Sequence, residues 1–194
     1  MKINEVHRAE MRRRNIGDLN DYFVRADILL KPKFKELFDA NVKSLIIAEP
    51  KVLLSDSNQT APHFISRRYA EFSSALLLVV GCSNDEDSTL REGLRRLRRE
   101  YQHLINRISA HIIKPKSRDI FLINNDDLIL SVMEERKLRV GGDDEDAAAD
   151  QFSYFEEIME AHISSYVGHE LNDHFADFIE LTRLSGQVPD SQRS

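Results

Sequence analysis

The sequence predicts an all-α fold, drawn out as an elongated antiparallel helical bundle or rod. Three observations predict it. Helix breakers are scarce: 194 residues include 7 Gly and 5 Pro, well under the roughly 12% usual for the two together, so turns are few and elements long. Charged residues reach 31%, above the usual share of about 25%, which favours a long solvated surface over a sphere. Apolar residues recur at helical steps, and no segment alternates apolar and polar residues between turn signals as a strand does.

Residues 1–20 read as a polar, basic arm or frayed helix, with Arg12, Arg13 and Arg14 in a row; residues 21–184 read as the rod and residues 185–194 as a polar tail. The first firm helix is expected over 32–48. Pro32 suits a first helical position, where its missing N–H is no loss. Phe34, Leu37, Phe38, Asn41, Val42 and Leu45 share one face, and Pro50 ends the run. Ser55-Asp56-Ser57-Asn58-Gln59-Thr60 is a loop by composition.

A second helix is expected from Pro62 or His63, with Ile65, Tyr69, Phe72, Leu76 and Val79 on one face. It turns apolar all round at 76–80, which predicts a buried end, and Gly81 is its terminator. A third runs over 87–114. Asp85, Glu86 and Asp87 complement its dipole, and Leu90, Leu94, Leu97, Tyr101, Leu104 and Ile108 form a heptad seam. Pro115 opens a fourth helix to about 138, faced by Ile120, Phe121, Leu128, Ile129 and Val132. Gly141, Gly142 and four acids after them mark an acidic linker at about 139–149. A last helix is expected from Asp150 as N-cap. Phe152, Phe155, Ile158, Met159, Ile163 and Tyr166 line it, Gly168 marks a kink, and Leu171, Phe175, Phe178 and Ile179 continue the pattern.

Composition also excludes. A net charge of −6 gives no whole-chain attraction to nucleic acid. No apolar run approaches the roughly 18–20 residues that span a bilayer, and the N-terminal stretch lacks the apolar core of a signal peptide, so membrane contact is expected to be peripheral, through partners. A single cysteine, Cys82, allows no internal disulfide and suits a cytosolic compartment. With no basic neighbour, it reads as a packed or loop thiol rather than a nucleophile.

Catalytic constellations are missing too. His169-Glu170 with His174 resembles a zinc-protease helix, but that motif sets its histidines four apart. Five apart, they diverge by roughly 140° around a helix. A di-metal carboxylate bundle requires two Glu-x-x-His motifs, and the chain does not carry two. No glycine-rich phosphate cradle occurs. We therefore expect a non-enzyme with no cofactor and no metal.

Two polar clusters remain. Arg91, Arg95, Arg96, Arg98 and Arg99 are either a surface for an anionic partner or the solvated flank of the seam, balanced by Glu92 and Glu100. Asn124-Asn125-Asp126-Asp127 spans a full turn, so at least one member faces the bundle. It is either a buried register device, hydrogen-bonded within the core, or a partner-docking notch.

Two stretches carry a resemblance. One is His63-Phe64-Ile65-Ser66-Arg67-Arg68-Tyr69-Ala70-Glu71-Phe72-Ser73-Ser74-Ala75-Leu76. The other is Phe121-Leu122-Ile123-Asn124-Asn125-Asp126-Asp127-Leu128, followed by Met133 and Arg136. Both resemble the vacuolar-protein-sorting fifty-two family, whose members carry an Arg-Arg-Tyr-Ala-Glu-Phe-Ser-Ser-Ala block and a later Phe-Leu-Ile-Asn-Asn-Tyr-Asp block. Asp126 stands where that family tends to have Tyr.

The resemblance implies a rod of the multisubunit tethering type. Its members serve the Golgi-associated retrograde protein complex and a related endosomal-recycling assembly, capturing endosome-derived vesicles at the trans-Golgi network. Implied partners are other vacuolar-protein-sorting subunits, SNAREs, and Rab or Arf-like GTPases. The implied location is the cytosol and the cytosolic face of the trans-Golgi network and endosomes. Against the family layout the chain begins just before the rod and stops before its later helices, leaving apolar faces such as Phe175 and Phe178 to be covered by a partner. Arg67, Arg68 and Glu71, opposite the Tyr69-Phe72-Leu76 face, are expected either to contact a partner or to form ion pairs between helices, and Asn124 and Asn125 are the other expected partner-contact residues. The other reading is a generic helical adaptor that self-associates through the seam from Leu90 to Ile108.

Overall fold

The computed structural model describes residues 2–14, 16–17, 19–54, 58–80, 88–140 and 145–185. Gly81, Cys82, the acids at 85–87, the linker core at 141–144 and the tail at 186–194 lie outside the described residues, as do the side chains at 78–80 and of Ile179. Among the described residues there are seven helices and no strand: α1 (Lys2–Arg13), α2 (Asn20–Ile47), α3 (Pro50–Leu53), α4 (Phe64–Val80), α5 (Ser88–Ser109), α6 (Pro115–Val140) and α7 (Glu145–Ser185). Accessible surface totals 13530 Å², against about 9,400 Å² for a compact monomer of this mass. The chain is drawn out, as its charge content predicts.

The heptad seam of α5 is the centre of the core. Leu94, Leu97, Tyr101, Leu104 and Ile108 are all at most 3% exposed, and Leu90 packs at the edge. Facing them are Phe38 and Val42 of α2, Tyr69 and Leu76 of α4, Phe121 and Ile129 of α6, and Phe155 of α7. Each such side chain contributes roughly 1.5–3 kcal/mol by leaving water. Tyr69 and Tyr101 stack with centroids 4.3 Å apart, and Phe155 meets Tyr69 at 5.7 Å. The seam is thus consumed inside one chain. Self-association through Leu90 to Ile108 is corrected by this burial, because the face it needs is already covered by the chain's own helices.

Where elements differ from expectation, the causes are local. Helix α2 starts at Asn20 and runs through Pro32 instead of opening there. A proline removes the hydrogen bond to the carbonyl four residues back, that of Ile28. Ile28 is 64% exposed, so water reaches that side, and burial of Phe23, Phe38 and Val42 along α2 offsets the loss. Helix α2 ends at Ile47, where the Arg107 guanidinium donates to the Ile46 and Ala48 carbonyls at 3.4 and 2.7 Å, a cation closing a helix C-terminus. Pro50 then opens α3 at its first turn. Leu37 is exposed, off the face that holds Phe38 and Val42. Helix α1 packs on α2, with Arg8 and Asp27 paired at 3.7 Å.

Helix α5 stops at Ser109 rather than 114. Ser109 Oγ donates to the Asn106 carbonyl, and a turn follows in which Ile112 is fully buried. Pro115 disfavours helical backbone at the residue before it. Helix α6 extends through Val140 and α7 begins at Glu145, so only 141–144 separate them. Asp150 lies inside α7 rather than capping it. Ala147, Ala148 and Ala149 just ahead of it are strong helix formers. Gly168 is helical, and the break in α7 falls at Phe175, with φ −134° and ψ 26°. It lies just past Asp173, which Lys116 ties to α6.

Candidate functional site

Helix α4 carries three of the expected contact residues on its outer side. Ser66, Tyr69, Ala70 and Ser73 point inward and are buried. Arg67 and Glu71 point outward and pair at 3.2 Å, with side chains 66% and 43% exposed. The pair joins neighbouring turns of α4 rather than two helices. Arg68 lies on the next edge, its guanidinium 5.2 Å from the Phe64 ring centroid, a cation over an aromatic face. It borders a groove of about 240 Å³ between α2 and α4, floored by Leu45, Ile65, Phe72 and Leu104, with Asn41 and Ser44 on the far rim.

Asn124 and Asn125 go elsewhere. Asn125 is 0% exposed. Its Oδ1 accepts from the His63 backbone N–H at 2.7 Å and from Ser66 Oγ, while its Nδ2 donates to the Phe121 carbonyl at 2.6 Å. Tyr101 O–H in turn donates to Ser66 Oγ at 2.8 Å. The Asn125 amide therefore joins α6 to α4, the Ser66 hydroxyl carries the link on to α5, and the buried amide is satisfied on both sides. Asn124, half-buried, donates to the Thr60 carbonyl at 2.8 Å and pins the loop before α4. His63 completes the junction. Its Nε2–H donates to the Leu53 carbonyl at 3.0 Å, which leaves Nδ1 to accept the Ile65 N–H at the start of α4. Burial holds the His63 imidazole below its ordinary range, with the Leu53 carbonyl acting the other way.

Sequence reasoning missed a second polar set, between α6 and α7. His162 Nδ1–H donates to Asp126 Oδ2 at 2.7 Å, and His169 Nδ1–H to Asp119 Oδ2 at 2.6 Å. Ser165 Oγ adds a bond to Asp119 Oδ1. At the end, Lys116 Nζ sits 2.8 Å from both Glu170 and Asp173. Asp126 is 2% exposed and Asp119 6%. Burial pushes the Asp126 carboxyl above its ordinary range, opposed by His162 through its hydrogen bond and charge. The signal was present: two aspartates seven apart and two histidines seven apart match in register on antiparallel helices.

The arginines of α5 divide. Arg95 pairs with Glu92 and Arg99 with Glu100, while Arg96 reaches Asp39 of α2 at 3.0 Å. Arg98 reaches Asp150 at 3.3 Å and covers the Tyr154 ring at 4.1 Å. These four serve as the flank of the seam. His169 faces Asp119 while His174 faces Glu170, so the two do not converge. Among the described residues no cluster of His, Cys, Asp or Glu is arranged to hold a metal, and no helix is long and apolar enough to cross a membrane.

Fold and surface together define an all-α helical module whose polar groups lock helix to helix, with bare helix faces on the outside. The chain belongs to the Vps52 family: residues 1–159 match the family model described as Vps52, C-terminal. It is 33% identical over 185 residues to vacuolar protein sorting-associated protein 52 A of Arabidopsis thaliana, an overlap covering 94% of this chain and 24% of that protein. Its identity to the vacuolar protein sorting-associated protein 52 homolog of Homo sapiens is 29% over 171 residues, covering 88% and 22%. To the Caenorhabditis elegans homolog it is 30% over 158 residues, covering 77% and 22%. The chain spans about a quarter of the length of the curated relatives it matches. No solved structure matches the chain.

Proposed function

We propose that the chain acts as a subunit of a multisubunit vesicle-tethering complex in retrograde transport from endosomes to the trans-Golgi network, and that it works by protein–protein binding. The match of residues 1–159 to the Vps52 C-terminal model carries this reading. The relatives' names, which place them in vacuolar protein sorting, point the same way. The partners are other vacuolar-protein-sorting subunits, with SNAREs and Rab or Arf-like GTPases at the vesicle side. Membrane association is peripheral, at the cytosolic face of the trans-Golgi network and endosomes.

Within the chain, partner contact falls on the outer side of α4. Arg68 offers a guanidinium at the edge of an open apolar groove, with the Arg67–Glu71 pair further round the helix, which suits a segment with an apolar anchor and an acidic group. Asn124 and Asn125 support that surface from beneath by fixing where α4 starts.

The test is affinity purification from cells of the protein tagged at its own locus, read by mass spectrometry. Recovery of other vacuolar-protein-sorting tether subunits supports the reading. Recovery of the protein alone, or only with copies of itself, overturns it. Charge reversal at Arg67 and Arg68 is expected to lose partners while the fold stays intact. Unchanged recruitment would remove the α4 assignment.

A further inference from the structure

Helix α7 is amphipathic in an inverted sense over its second half. The side facing α6 is polar: His162, Ser165, His169, Glu170 and Asp173 all bond to α6. The apolar residues face out. Ile163, Val167, Leu171, Phe175 and Phe178 are 41%, 46%, 46%, 56% and 66% exposed. Their steps of four, four, four and three put them on one side of the helix, opposite His162 and His169. The first half is ordinary, with Phe155 fully buried and Phe152 and Met159 packed on the core. A helix that spends its polar side on its neighbour and shows water an apolar stripe carries the mark of an interaction site.

The charge around the stripe says which kind. No Lys or Arg occurs between Val140 and Arg183. Glu156, Glu157 and Glu160 precede the stripe, and Asp177 and Glu180 close it; none of the five is in an ion pair among the described residues. Lys116 compensates only the inner carboxylates Glu170 and Asp173. An apolar stripe with bare carboxylates at both ends complements an amphipathic helix with lysines or arginines at its ends. The same acids repel an anionic bilayer and a second copy of α7.

We propose that the outer side of α7, from Ile163 to Phe178, docks a basic amphipathic helix of a partner protein. The inference rests on the binding reading above but not on the tether assignment, since it is tested with the isolated chain.

The probes are two labelled peptides of about 20 residues, long enough to lie along the stripe at roughly 1.5 Å per residue. They share one Leu/Ile face; one is flanked by Lys and Arg, the other by Glu. The basic peptide is expected to bind with a gain in helicity, to weaken about tenfold or more between roughly 50 and 300 mM salt, and to lose about tenfold or more on Leu171→Asp or the milder Val167→Ser. The acidic peptide is expected not to bind. Because both positions are exposed, the variants should melt like the wild type. Four outcomes overturn the proposal: equal binding of the two peptides, no binding of the basic one, binding indifferent to Leu171→Asp and Val167→Ser, or a stripe occupied by something else. The last would appear as dimerisation in sedimentation, or as binding to vesicles of phosphatidylcholine and phosphatidylserine, abolished by Leu171→Asp.

Discussion

Asp126 Oδ2 and His162 Nδ1 lie 2.7 Å apart across the interface of α6 and α7, with the carboxylate at 2% exposure. The histidine is the carboxylate's partner in a place water scarcely reaches. Removing it strands a buried acid, so His162→Ala is expected to cost about 3 kcal/mol. Replacing both residues by leucine should recover much of that, since two apolar side chains need no partner there. Urea unfolding of Asp126→Leu, His162→Leu and the double leucine variant measures the coupling. A coupling energy near zero would show that the two residues only happen to be near each other.

The same aspartate gives a pH dependence with a definite sign. Burial, the largest influence on it, makes the folded state hold the Asp126 proton to higher pH than the unfolded chain does. From the ordinary value of 3.8 upward, ionisation therefore works against folding, and this residue's contribution to stability falls as pH rises. Asp126→Asn abolishes the ionisation. The stability of the wild type minus that of Asp126→Asn should fall as pH rises above the ordinary value of 3.8. A difference that is flat or rises there contradicts the direction.

The core was legible in the sequence because it follows one period. Leu94, Leu97, Tyr101, Leu104 and Ile108 are the expected seam and the buried centre, and the helices around them were found by the same rule. Helix ends were less legible. Pro32 fits both the first turn of a helix and an interior solvent-facing position, and the chain uses the second. Asp150 has the chemistry of an N-cap, but three alanines before it carry the helix further back. For the polar residues, sequence alone showed that some member of 124–127 had to turn inward. Which one, and against what, depended on how α4 lies over α6. The outward position of Arg67, Arg68 and Glu71 followed from helical phase. The pairing of Asp119 and Asp126 with His169 and His162 needed the antiparallel register of α6 and α7, which no single-helix pattern contains.

Asn125 tests how much the three-helix junction depends on one side chain. Asn125→Ala leaves the His63 N–H and the Ser66 hydroxyl without their acceptor, at roughly 1–3 kcal/mol for each stranded group. A total of about 3 kcal/mol lowers the melting temperature by roughly 6–12 °C for a chain of this size. Tyr101→Phe removes only the bond into Ser66, which keeps Asn125 as acceptor, so it should cost about 1 kcal/mol. Thermal unfolding by circular dichroism separates the two. Equal losses would mean that the chain of bonds from Tyr101 to Asn125 acts as one unit.

Lys116 anchors the last stretch of α7 that touches α6, and its effect is expected to be local. Its hydrogen bonds hold the Glu170 and Asp173 carboxyls below their ordinary values of 4.5 and 3.8. That contribution is complete above those values and is lost as pH falls through the lower folded ones. The two carboxylates in turn push the Lys116 ammonium up, so on the alkaline side the clamp persists until pH rises through that raised value. Lys116 and Glu170 are half-buried at the edge of the interface and Asp173 is exposed, so water reaches the cluster and screening by salt keeps the effect small. Lys116→Met should therefore leave global unfolding nearly unchanged while amide hydrogen exchange speeds up at 170–176, next to the break at Phe175. The difference from wild type should fade in about 0.5 M salt and vanish in acid strong enough to protonate both carboxyls. Faster exchange spreading back to the turn that buries Phe155 would show instead that this end of α7 holds up the core.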